Sequence, residues 1–145
     1  MADIANIGNT GFISELDVRL FLRDKDPAAN LLLDDYEFTQ EELRTAWTLI
    51  VDKWNETPPN IQSFEVHTFP YRYHLLMGTS AMLMRIAAIS YRRNHLAYNV
   101  PGGSIDDQKK YAEYDAASDK LMAEFDKWML REKNRLQMEA GWASI

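Results

Sequence analysis

The chain has 145 residues, a net charge of −6 and a hydrophobic fraction of 46%. This length and composition are typical of one globular domain with its own core. The negative charge argues against broad, sequence-independent binding to nucleic acid, which needs a cationic surface. Because the chain has no cysteine, disulfides, thiolate metal sites and cysteine catalysis are excluded.

The N-terminal region is predicted to be an arm followed by short helices. Residues 1–12 show no hydrophobic period, so we expect a flexible arm. They lack a basic segment followed by an apolar one, so we do not expect the chain to be secreted. We expect it to be synthesised in the cytoplasm. Ser14 and Asp17 have the spacing of a capping box and predict a helix that ends near Asp24. Asp26-Pro27 predicts a further short helical turn.

A second helix has a clear start. Thr39 is a helix-capping residue, and Glu42 stands at the third helical position to complete a capping box. Phe38 and Leu43 occupy the two positions of a hydrophobic staple. Pro58-Pro59 ends the helix, because proline cannot continue it. The apolar positions recur at spacings of three and four, as one buried face requires: Leu43, Ala46, Trp47, Ile50, Val51 and Trp54.

The segment 61–68 alternates apolar and polar residues over a short span. This pattern fits either an extended connector that covers the core or one edge strand. An edge strand would leave backbone groups free to pair with another chain. The connector is the favoured interpretation, because loops of this length are common.

The stretch from Phe69 to Leu96 is apolar on nearly every face. It predicts one helix of about seven turns, capped by Thr68 and with Pro70 at an early helical position. A membrane span is disfavoured, because it needs roughly 18 to 20 uninterrupted apolar residues and Arg85 lies in the middle. We therefore predict a buried central helix whose surplus apolar surface is covered by other subunits.

The last helix is predicted to be unusually long. Residues 98–103 break the chain, and Ser104 caps a helix that runs from Ile105 to about Ala140. Gly141 is expected to end it and to leave residues 141–145 as a tail. One set of charged side chains is expected to form a solvated face: Lys109, Lys110, Glu113, Asp119, Lys120, Glu124, Asp126, Lys127, Arg131 and Lys133.

These elements together predict an all-α fold. We expect a single domain over residues 1–145, formed by a bundle of about four helices with a buried central helix and a long C-terminal helix. The sequence contains no catalytic, phosphate-loop or metal-binding motif, so we predict no catalytic residue, no metal and no cofactor. All-helical pyrophosphohydrolases bind magnesium through acids on facing helices. Asp115 and Asp119 therefore keep a magnesium-dependent nucleotide pyrophosphohydrolase open as an alternative.

Three stretches resemble the small helical connector proteins of tailed bacteriophages, which are called head-to-tail adaptors or neck proteins: Leu16–Asp24, Asn30–Thr39 and Tyr98–Asp107. The resemblance implies a non-enzymatic structural protein of the virion neck or tail region, made in the host cytoplasm. It further implies a homo-oligomeric ring that joins the portal protein to the tail and neck proteins. Double-stranded DNA would pass through the lumen without sequence-specific binding. Another tail or baseplate structural protein is an alternative in the same setting.

The resemblance implies that surfaces and tails carry the function. The segment 61–68 is the expected loop toward the next ring, and the last helix with residues 142–145 is the expected contact with the portal or a neighbour. An acidic lumen would let DNA slide without adhering. No membrane partner is expected. The predicted interface residues are Ile61, Phe64, Val66, Trp128, Arg131, Leu136, Trp142 and Ile145.

Overall fold

The computed structural model describes residues 13–22, 38–93, 98–100, 103–105 and 107–143. These residues form a helical bundle with a buried central helix and a long C-terminal helix, which confirms the predicted all-α fold. Two three-residue strands add a small hairpin to it. In chain order the elements are α1 (Glu15–Leu22), α2 (Gln40–Glu56), a 3-10 turn (Val66–Thr68), α3 (Arg72–Arg93), β1 (Tyr98–Val100), β2 (Gly103–Ile105) and α4 (Asp107–Ala143).

The predicted starts of the first two helices are confirmed. The backbone N–H of Asp17 donates to Ser14 Oγ at 3.2 Å, and the N–H of Ser14 donates to Asp17 Oδ2 at 3.0 Å. Thr39 and Glu42 form the same reciprocal pair at the start of α2. The arm at residues 1–12 and the helical turn predicted at Asp26-Pro27 lie outside the described residues.

The predicted cap of the central helix is wrong. α3 begins at Arg72, and Thr68 belongs to the 3-10 turn before it. The N–H of Thr68 donates to the carbonyl of Glu65 at 3.1 Å, and the N–H of Glu65 donates to Thr68 Oγ1 at 2.9 Å. The hydroxyl is therefore used within its own turn. The carbonyl of Tyr71 accepts the first helical bond of α3, from the N–H of Leu75 at 2.9 Å.

α3 packs between α2 and α4, where small residues allow a close approach. Gly78 is buried, and a Cβ at this position would lie 2.9 Å from Ile50 Cγ2 on α2 and 3.0 Å from Phe125 Cδ2 on α4. One turn further along α3, Ser118 Oγ on α4 donates to the carbonyl of Ala81 at 2.8 Å. The central position of α3 thus depends on Gly78 and Ala81, whose small size lets α2 and α4 approach its backbone.

The surplus apolar surface expected of the central helix is largely covered within the chain. Among the described residues of α3, the large hydrophobic side chains that stay exposed are Tyr73 and Ile89. Other exposed apolar side chains lie on α1, α2 and α4, including Leu16, Leu49 and Met138. No helix in the described part of the chain combines the length and apolar character that crossing a membrane requires.

Both predicted ends of the last helix are wrong. Ser104 lies in β2, where it pairs with Asn99 of β1, so it cannot cap the helix, and α4 begins at Asp107. At the other end, α4 continues through Gly141 to Ala143. Glycine ends a helix when it adopts a left-handed backbone, and Gly141 does not adopt one.

Candidate functional site

The densest group of functional side chains lies where α2 ends, α3 begins and α4 passes both. Trp54 is at its centre, with ring centroids 5.7 Å from Phe69 and 5.6 Å from Trp128. Such distances fall in the range of favourable aromatic pairs. We call this group the aromatic cluster. It consists of Trp54, Phe64, Phe69, Tyr71, Phe125 and Trp128.

Lys133 is buried against this cluster, and its predicted place on a solvated face is wrong. The side chain is 1% exposed, and its Nζ lies 5.0 Å from the centroid of the Trp54 ring. Nζ donates to the carbonyls of Trp54 and Thr57, and to that of Pro59 at 3.4 Å. Lys133 therefore binds carbonyls at the C-terminal end of α2, where a cation is favoured. Burial lowers the pKa of the Lys133 amine below its usual value.

A sequence signal for this burial exists. Lys133 stands four residues after Met129, which itself follows Phe125 by four, so all three share one helix face. Phe125 and Met129 are buried on that face. A lysine that continues a buried stripe has to find acceptors, because an unpaired buried charge is costly.

A second polar group ties α4 to the start of α3. The Tyr71 hydroxyl donates to Glu132 Oε1 at 2.9 Å, and Arg135 Nε donates to Glu132 Oε2 at 3.1 Å. Burial, together with the bond to Glu132, raises the pKa of Tyr71 to about 12. The bond from Arg135 lowers the pKa of Glu132, and pairing with Glu132 raises the pKa of Arg135. Arg135 also pairs with Glu139 on the next turn.

His74 completes this end of the bundle. Its ring stacks on that of Trp128, with centroids 3.8 Å apart and planes within 7°. Burial lowers the pKa of His74, which favours the neutral ring. At this end of the bundle Lys133 is bonded to backbone carbonyls, and Tyr71 and Arg135 are bonded to Glu132, so the arrangement fixes α4 against α2 and α3.

The segment 61–68 is a connector, and the edge-strand interpretation is wrong. It contains no strand, only the 3-10 turn. The Asn55 side chain accepts from the N–H of Phe64 and donates to its carbonyl, each at 2.8 Å. Trp54 Nε1 donates to the carbonyl of Gln62 at 3.1 Å. The carbonyl of Gln62 and both backbone groups of Phe64, which an edge strand would offer to another chain, are thus bound by side chains of α2.

The predicted interface residues fall into three groups. Four of them, Phe64, Val66, Trp128 and Leu136, are partly buried and pack against the core. Ile61 is half-buried, whereas Arg131 is exposed. Trp142 lies in the last turn of α4, and Ile145 lies outside the described residues. The structure brings Phe64 and Trp128 together through Trp54, since each ring contacts the Trp54 ring.

The C-terminal end of α4 extends past the start of α3. α3 and α4 run antiparallel, with Arg85 bonded to Asp119 at 2.7 Å and Tyr71 bonded to Glu132. The helix continues for eleven residues after Glu132, which corresponds to about 16 Å. Residues 137–141 are all exposed, and Met138 is 64% exposed. We call residues 137–143 the projecting end.

No group of three or more metal-ligating side chains occurs among the residues that the structure describes. Asp119, which the magnesium alternative requires, is instead paired with Arg85. Comparisons with protein-family models, curated proteins and solved structures found no match to this chain.

Proposed function

We propose that this chain is a non-enzymatic structural protein of a tailed bacteriophage, a head-to-tail adaptor that forms a ring between the portal and the tail. The projecting end of α4 is the single observation that carries the proposal. A helix fixed at one end and exposed at the other presents a preformed surface, so docking it costs little ordering entropy. In this proposal the projecting end contacts the portal or a neighbouring subunit.

Three contacts make the base of the projecting end rigid. Lys133 binds the end of α2, Tyr71 binds Glu132, and Lys53 Nζ pairs with Asp126 Oδ1 at 2.6 Å. The exposed Met138 then lies just over one turn beyond Lys133. Methionine is common at protein contacts because its side chain adapts to the partner.

The first test asks whether the protein is in the particle. Mass spectrometry of purified particles of the phage that encodes the chain should detect it in multiple copies per portal ring. Antibody labelling should place it at the neck. Labelling at the tail tip would favour the alternative tail or baseplate protein, and absence from the particle would overturn the virion assignment.

The second test removes the projecting end. A chain that stops after Leu136 should assemble poorly with the portal yet keep its thermal transition within about 2 °C, because residues 137–141 are exposed. The control is Asn134→Ala in the full chain, which changes an exposed residue of the same helix and leaves the projecting end in place. Normal portal assembly by the shortened chain would contradict the assigned role of the projecting end.

A third test addresses the enzymatic alternative. The purified chain with magnesium should leave nucleoside triphosphates intact. Hydrolysis that Asp119→Asn abolished would reject the non-enzymatic assignment in favour of the pyrophosphohydrolase.

A further inference from the structure

A line of exposed residues on the outward face of α4 carries lysines and no carboxylate although the chain as a whole is acidic, and the exposed Glu124 lies beside this line, as Arg131 does. Five exposed residues recur there at spacings of four and three, so they share one face. Lys120 and Lys127, with Arg131 beside them, form no ion pair with any residue that the structure describes. We call this surface the basic stripe. It comprises Ala116, Lys120, Ala123, Lys127 and Leu130, flanked by Arg131.

The outward face of α2 has the opposite character. We call it the acidic stripe, since three of its five exposed residues are carboxylates and the other two are small. Asp52 and Glu56 form no ion pair within the described part of the chain. The acidic stripe comprises Glu41, Thr45, Thr48, Asp52 and Glu56.

An open groove with an apolar floor adjoins the acidic stripe. It encloses about 490 Å³, and Leu49, Pro58 and Met82 contribute its apolar lining. Asp52 and Glu56 stand at its rim. Lys53 also lines the groove, but its charge is paired with Asp126. The groove therefore favours an apolar side chain that is flanked by cations.

The two stripes match in charge and in spacing. Lys127 and Arg131 are one helical turn apart, and so are Asp52 and Glu56, about 6 Å in each case. Leu130 lies between the two cations and is 47% exposed. Next to the contact, the basic stripe carries Ala123 and the acidic stripe carries Thr48. These small side chains let the two helices approach closely.

We propose that the basic stripe of one copy docks on the acidic stripe of the next copy. Leu130 enters the groove beside Leu49, while Lys127 and Arg131 meet Asp52 and Glu56. The inference rests on the proposed function and names the subunit contact of its ring. Because the two stripes are different surfaces of one chain, the contact is heterologous and repeats from copy to copy until a ring closes.

Nucleic acid is the rival occupant of the basic stripe. Three cations along a helix could meet phosphates, but a DNA-binding face needs more positive charge and has no use for an exposed leucine between two of those cations. The acidic stripe explains the arrangement better, since it offers both carboxylates and an apolar groove. Binding of DNA by the basic stripe is accordingly an outcome that would overturn the proposal.

Charge exchange tests the contact in solution. Lys127→Glu with Arg131→Glu should raise the dissociation constant for self-association at least ~10-fold, and so should Asp52→Lys with Glu56→Lys. The chain with all four substitutions should return to within ~3-fold of the parent, because the charges are complementary again. Sedimentation equilibrium of each variant provides the constants, and association should weaken as salt is added.

A control pair separates this contact from a general charge effect. Arg44→Glu with Arg93→Glu changes the net charge by the same amount on exposed residues outside both stripes. It should leave self-association unchanged. The proposal would be overturned if the chain with all four substitutions did not recover the self-association of the parent. It would also be overturned if the parent chain stayed monomeric at the highest attainable concentration.

The absence of cysteine allows a direct test of proximity. Leu130→Cys with Leu49→Cys introduces the sole two thiols of the chain, which mild oxidation should join between copies into a ladder of multimers. Leu130→Cys with Ile89→Cys, which places the second thiol on another exposed residue, should form no ladder. A ladder from the control and none from the test pair would reject the assigned faces.

The two proposals fail separately. If the chain is present in particles but the cysteine pair does not cross-link, the connector function stands and the stripes are not its subunit contact. If the pair cross-links but the chain is absent from particles, self-association through the stripes stands and the connector function fails.

Discussion

Lys133 binds the end of a helix that lies far from it in sequence. Its amine donates to three backbone carbonyls, and its Nζ lies 5.0 Å from the centroid of the Trp54 ring. No carboxylate is among these acceptors. The ammonium group is therefore held by peptide dipoles, as cations are at helix C-termini.

We expect Lys133→Met to destabilise the fold by about 2 to 4 kcal/mol, because it leaves buried carbonyls without donors. Urea denaturation of dilute protein provides the free energy of unfolding. Lys120→Met is the matched control on an exposed position of the same helix, with an expected change within about 0.5 kcal/mol. Equal effects of the two substitutions would show that the Lys133 contacts contribute nothing net.

Tyr71 predicts a stability change in alkaline solution. Its pKa is raised from 10 to about 12 in the folded chain. As pH rises through that window the unfolded chain loses the proton first, so the stabilising contribution of Tyr71, complete below pH 10, is lost. Tyr71→Phe should be less stable than the parent by about 1 to 2 kcal/mol at neutral pH. That difference should shrink between pH 10 and 12.

The control for this experiment is the neighbouring residue. Tyr73→Phe changes a side chain that is 66% exposed, and we expect its free energy of unfolding to stay within about 0.5 kcal/mol of the parent at neutral pH. Chemical denaturation at each pH measures both variants. A constant difference between Tyr71→Phe and the parent would show that the pKa of this hydroxyl is the same in the folded and the unfolded chain.

The packing of whole helices depends on Gly78. Gly78→Ala should destabilise the fold by about 1 to 3 kcal/mol, because the new methyl group would overlap Ile50 and Phe125. Gly141→Ala on α4 is the control, since a Cβ there meets no atom within 4 Å. That substitution should be neutral or stabilise the helix by up to about 1 kcal/mol. Thermal unfolding of both variants gives the comparison.

The connector depends on one side chain of α2. Asn55→Asp should destabilise the fold by about 1 to 3 kcal/mol, because a carboxylate can accept from the N–H of Phe64 but cannot donate to its carbonyl. Asn60→Asp is an exposed control nearby. Limited proteolysis should cut the Asn55 variant between residues 57 and 68 sooner than the parent. Equal cleavage rates would show that Asn55 does not hold the connector.

At the scale of the molecule, acidity predicts weak contact with DNA. The net charge of −6 repels phosphate, and the basic stripe with the flanking Arg131 holds only three cations. We expect fluorescence anisotropy to show a dissociation constant for double-stranded DNA weaker than about 10⁻⁴ M at physiological salt. Submicromolar binding with a steep salt dependence would contradict this, and would also reject the assigned partner of the basic stripe.

The starts of α1 and α2 could be predicted because capping is local. A capping box joins residues three apart, so Ser14 with Asp17 and Thr39 with Glu42 carry the whole signal. The same rule failed at Thr68 and Ser104. Thr68 bonds to Glu65 within a separate 3-10 turn, and Ser104 pairs with Asn99 in a strand. Each residue therefore has a partner other than the helix that it was predicted to cap.

The sequence by itself determined the helical class, the buried face of α2 and the central place of α3, since hydrophobic periodicity and small residues act over a few turns. The tertiary structure alone decided the role of Lys133, whose acceptors lie 74 to 79 residues away. It likewise decided the contact of Tyr71 with Glu132, 61 residues apart. Such pairs depend on how α4 is aligned against α3 and α2, and packing of the whole bundle sets that alignment.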